Sequence, residues 1–75
     1  MQVEKEADQG IEIEANYYLM QVFNAINEQK ISPVFVFKGV KFWRENYEFV
    51  TEQQGERIRL GQIVDFDEFK QALGI

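Results

Sequence analysis

The sequence predicts an α+β domain: a small antiparallel sheet of three to four strands, preceded by one helix and closed by a second, shorter one. Three observations carry this. Six of the eleven aromatic residues (Phe35, Phe37, Phe42, Trp43, Tyr47 and Phe49) fall within the sixteen positions that begin at Val34, in a stretch of strand formers punctuated by single glycines. Before it, apolar residues recur at helical spacing. After it, a short segment opens with several helix-start signals at once.

Residues 1–9 have no apolar periodicity and are polar and acidic, so a disordered leader is expected, with residues 10–75 as a single domain. Gly10 opens Gly-Ile-Glu-Ile-Glu, an alternation that sets Ile11 and Ile13 against Glu12 and Glu14. It fits a short strand, although Ile13 could already belong to the following helix. Asn16 is a suitable N-cap for a helix over Tyr17 to Lys30. Leu19, Val22, Phe23 and Ile26 form one stripe, with Tyr18 and Ala25 at its edge. Tyr17 and Met20 fall on the opposite face, either packed on the N-terminal segment or free to contact a partner. Ser32-Pro33 ends the helix.

Val34-Phe35-Val36-Phe37 is apolar on both alternating faces, as a strand covered on two sides would be. Lys38-Gly39 fits either a two-residue turn, pairing Phe35 with Phe42 and Val34 with Trp43, or a bulge in one bent strand. A second hairpin, turning at Glu52-Gln53-Gln54-Gly55, would pair Phe49 with Ile58, Tyr47 with Leu60, Glu48 with Arg59 and Val50 with Arg57. The closing helix has Asp65 as N-cap, Glu68 three positions on, and Val64 and Phe69 as a hydrophobic staple. Phe66, Phe69 and Leu73 share its inner face, and Gly74 stops it.

The chain of 75 residues has no cysteine and no histidine. That removes disulfides, thiolate ligands and the commonest general base and metal ligand. Ser32, Thr51 and three tyrosines are the available hydroxyls, and none has a base beside it in sequence. The acids of Asp65-Phe66-Asp67-Glu68 lack the spacing of a calcium loop and are accounted for by helix capping. No phosphate-cradling glycine loop is present. A non-enzymatic protein is therefore expected, without cofactor or metal.

A domain this small buries only about 60% of its unfolded surface. A self-sufficient monomer and a homodimer that gains core across an interface are both open. The formal net charge is −5, distributed as −5 over residues 1–29, +2 over 30–59 and −2 over 60–75. The acidic balance opposes nucleic acid at long range. The apolar run Val34–Phe37, which no other uninterrupted run exceeds, is far short of the ~20 residues that span a bilayer, and the acidic start is unlike a signal peptide. A soluble, cytoplasmic protein is expected.

The mildly basic centre leaves RNA or single-stranded DNA as the alternative partner, using the strand Lys38–Arg44 with Arg57 and Arg59. Its interleaved bases and aromatics loosely resemble the RNP1 pattern of RNA-recognition motifs, departing from it at Val40 and Lys41. The order helix, strands, helix is similar in outline to the double-stranded RNA-binding domain. That family's last helix presents a lysine cluster, whereas here Lys70 stands among acids, so the likeness stops at topology. The favoured reading is a small acidic regulatory module of the inhibitor or adaptor type that docks on another protein. Trp43, expected to face away from Phe42, is the central candidate contact, with Lys41, Arg44, Tyr17 and Met20 completing the partner-binding set.

Overall fold

The computed structural model describes residues 10–75; the expected leader lies outside the described residues. The elements are β1 (Ile11–Glu12), α1 (Asn16–Ile26), β2 (Phe35–Phe37), β3 (Val40–Glu45), β4 (Glu48–Gln53), β5 (Glu56–Gly61) and α2 (Phe66–Leu73). The α+β class stands, but the sheet has five strands in the order β1-β2-β3-β4-β5 and is mixed, because β1 runs parallel to β2. The fifth strand is the short Ile11–Glu12 segment. Its amides reach β2 through Ile11 N–H to the Val34 carbonyl and Ile13 N–H to the Val36 carbonyl, both 2.8 Å.

Both helices lie on one face of the sheet. Leu19, Phe23 and Ile26 of α1 and Phe69 and Leu73 of α2 meet Phe37, Phe42 and Phe49, with Ile13 and Ile63 completing the core. Phe69 is its hub, with ring centroids of Phe23 and Phe49 at 4.8 Å and of Phe42 at 5.2 Å. Along each strand the alternate residues point to the other face. Val36, Lys41, Trp43, Glu45, Glu48, Val50, Glu52, Arg57 and Arg59 share that outer face, as the pairings Val36–Lys41, Trp43–Val50, Val50–Arg59 and Glu52–Arg57 require. No described helix covers it.

All three hairpins turn on two residues, each with positive φ at both: Lys38 and Gly39, Asn46 and Tyr47, Gln54 and Gly55. Such turns match the right-handed twist of the strands they join. Lys38-Gly39 is thus a turn and not a bulge, and Phe35 pairs with Phe42 as expected. The Val34–Trp43 pair does not form, because β2 starts at Phe35. The expected four-residue turn at 52–55 is a two-residue turn at Gln54-Gly55, which moves the register by two. Thr51 pairs with Ile58 and Val50 with Arg59, while Phe49 faces Gly61 across an irregularity.

Tyr47 occupies, at φ 69, the position that glycine fills in the other two turns. A left-handed conformation costs an L-residue roughly 1–2 kcal/mol. Tyr47 N–H donates to the Lys30 carbonyl at 3.1 Å, which holds the turn in place. Tyr47→Gly is therefore expected to stabilise the fold by up to about 1 kcal/mol, after glycine's own entropy cost is subtracted. A rise in the urea midpoint at unchanged m-value would show it; a fall would mean that the ring contributes more than its strain costs.

Two helix boundaries depart from expectation. Ala15, at φ −152, precedes α1, and Asn16 makes no capping bond; the helix ends at Ile26 instead of Lys30. Residues 30–32 leave it to lie along β3, where Ser32 N–H donates to the Arg44 carbonyl and Ile31 bridges to Glu45. At α2, Asp65 is the N-cap without a side-chain capping bond. Val64 is 81% exposed, so the staple with buried Phe69 is absent. Gly74 ends the helix in the left-handed region, donating to the Gln71 carbonyl at 3.1 Å.

Candidate functional site

The five residues singled out from sequence do not form one surface. Trp43 and Lys41 stand on the outer face of the sheet. Tyr17 and Met20 stand on the solvent side of α1, which covers the inner face, so the sheet separates the two pairs. Arg44 belongs with neither. It follows Phe42 by two positions, shares its face, and is only 3% exposed. Its guanidinium lies 4.5 Å from the centroid of Phe49, and its Nε donates to the Gln29 carbonyl at 3.2 Å. Burial lowers its pKa from the usual arginine value. Arg44 is a core residue beneath the end of α1, not a surface anchor beside Trp43.

Trp43 faces away from Phe42, as the alternation requires, but it is only half-exposed. It pairs with buried Val50, and the Arg57 guanidinium sits 5.7 Å from its ring. The cations of this face are matched. Arg59 donates to Glu48 Oε1 at 3.1 Å and approaches Glu45 at 3.7 Å. Lys41 and Arg57 each stand opposite Glu52 across a strand pair. Exposed pairs of this kind contribute about 0–1 kcal/mol each, yet they leave the face close to neutral in charge.

The α1 side is different in character. Tyr17, Tyr18 and Met20 are 66%, 53% and 45% exposed. The two tyrosine rings meet edge to face at 5.6 Å. Beside them a groove of about 360 Å³ runs under the edge of the sheet, lined by Ile11, Tyr18, Val22 and Phe35 and rimmed by Glu12 and Glu14. Gly10 approaches β2 so closely that a Cβ there would come within 2.9 Å of the Val34 carbonyl oxygen, so the edge at this point is bare backbone.

Sequence reasoning did not single out Tyr18, Ile11 or the acid rim. Tyr18 sits at the margin of the apolar stripe, where period alone does not decide exposure. The groove arises from the parallel pairing of β1, which a two-residue strand does not announce. Among the described residues no cluster of three acidic side chains is placed to hold a metal ion, and no helix is long and apolar enough to cross a membrane. Comparison with protein-family models, curated proteins and solved structures found no match. The geometry of the chain itself carries the functional argument.

Proposed function

We propose that this is a small non-enzymatic binding module that docks on another protein through the solvent face of α1, with Tyr17, Tyr18 and Met20 as its anchors. One observation supports the reading above others. The inner face of the sheet is already filled by Leu19, Phe23 and Ile26 of the same helix, so packing in the core gives no reason for three large side chains exposed at Tyr17, Tyr18 and Met20. Tyrosine and methionine suit such a role: tyrosine offers area at low entropy cost, and methionine adapts to irregular surfaces.

The nucleic-acid alternative is the weaker one. Arg44 is unavailable inside the core, and Lys41, Arg57 and Arg59 stand opposite or bonded to glutamates. Backbone-driven binding would have to overcome the net charge.

Tyr17→Ala with Met20→Ala is expected to leave stability within about 0.5 kcal/mol of the parent, as surface changes usually do. The same pair is expected to abolish recovery of the protein partner in affinity capture from nuclease-treated lysate. Capture that is unchanged in the double variant would reject this surface. Capture that vanishes with nuclease would favour the nucleic-acid reading.

A further inference from the structure

The two edges of the sheet carry opposite charge and matching apolar residues. β1 lies at one edge and β5 at the other. At the β1 edge, Ile11 and Ile13 spend their amides on β2, so the backbone groups of Glu12 between them face outward. At the β5 edge, the turn-flanking pair Gln53–Glu56 is the hydrogen-bonded one in a two-residue hairpin. Glu56 and Ile58 therefore bond to β4, and the backbones of Arg57 and Arg59 face outward. Side chains follow the same parity. Glu12, opposite Val36, is on the outer face, as are Arg57 and Arg59; Ile11 and Ile58 are on the inner face.

We infer that the chain assembles head to tail, β5 of one copy pairing antiparallel with Gly10–Glu14 of the next. Strand directions allow this without a change of face. β1 and β2 run together, and three antiparallel steps then bring β5 to the opposite direction from β1. In the register that best matches chemistry, Glu12 faces Arg59, Glu14 faces Arg57, Ile11 faces Leu60 and Ile13 faces Ile58. Ile58, 41% exposed on its own sheet edge, is then covered beside the groove at Ile11 and Tyr18.

Symmetric pairings are disfavoured by the same residues. Two β5 strands, in any register that overlaps their centres with faces preserved, set arginine against arginine. Two β1 edges set acid against acid. A heterologous contact does not close on itself unless its rotation happens to return to the start, so growth beyond a dimer is the signature. The contact is short, so association is weak and falls with salt.

Sedimentation velocity tests this directly. At low salt, the weight-average mass of the wild-type chain is expected to pass that of two chains between about 10 µM and about 1 mM, the range suited to a small interface. It is expected to return to that of one chain in about 1 M salt. Glu12→Arg/Glu14→Arg blocks one edge by charge, and Arg57→Pro blocks the other by removing an N–H that faces outward, leaving the Arg59–Glu48 bond intact; far-UV circular dichroism checks that both fold. Each alone should remain a single chain, and an equimolar mixture should form dimers and nothing longer, since each partner keeps one open edge. A wild-type chain that stays single at the highest concentration overturns the inference. So does an assembly that stops at a dimer, or one that survives in either variant.

Discussion

Phe69→Ala is expected to cost about 3–5 kcal/mol, the range for truncating a fully buried phenylalanine. Domains of this size hold only about 5–15 kcal/mol in total, so the variant should be largely unfolded well below the parent's melting temperature. The reason is its position. Phe69 is wholly buried and touches the rings of Phe23 from α1, Phe42 from β3, Phe49 from β4 and Phe66 from its own helix. A cavity there would separate both helices from the sheet at once. Thermal or urea unfolding measures the loss. Phe69→Leu should cost less than half as much, because it keeps most of the volume. A cost for Phe69→Ala under about 1 kcal/mol would mean that α2 contributes little to the core.

Arg44 yields the second large effect, and it depends on what replaces it. Its carbon stem and guanidinium fill space over Phe49, its Nε holds the Gln29 carbonyl, and its Nη1 is buried without a hydrogen-bond partner among the described residues. No described carboxylate forms an ion pair with it; the ion pairs present belong to Arg59. The side chain thus gives packing while carrying an incompletely compensated desolvation cost. Arg44→Ala is expected to lose about 2–4 kcal/mol through the cavity and the orphaned carbonyl. Arg44→Met keeps the volume and removes the charge, so it should fall within about 1 kcal/mol of wild type. Equilibrium unfolding ranks the three. If Met proves as costly as Ala, the guanidinium has a polar role that its present contacts do not account for.

These two residues also mark what was legible in the sequence. The helix closing on Phe66, Phe69 and Leu73 was readable because period and flanking residues agreed. Its capping box does not form. Asp65 and Glu68 sit at the right spacing but make no capping bond, and Val64 points to solvent. The β4–β5 hairpin shows how a register can be wrong while its faces are right. A slip of two preserves side-chain parity, so Phe49 stayed inside and Arg57 and Arg59 outside although every expected pair changed partner. Glu48 and Arg59 still bond, now diagonally.

The turn at Asn46-Tyr47 left almost no trace, because tyrosine is not a residue that announces a left-handed position. The first helix ends at Ile26, four residues before Lys30, although Asn27–Lys30 carry no stop signal before Pro33. Arg44 and Trp43 are candidates for one surface only as neighbours in sequence. On a strand, immediate neighbours are the residues that never share a face. The alternation that turned Trp43 outward had already turned Arg44 inward.

The three two-residue turns have a kinetic meaning. From β2 to β5 every strand pairs with the one that follows it, so the meander can form by successive closures of very short loops, each with little entropic cost. β1 is the exception. It finds β2 only across the whole of α1, and it is held by two residues and a pair of 2.8 Å bonds. The topology thus favours a rapidly zippered meander with one late, loosely fastened margin, and the acidic edge of the sheet is that margin.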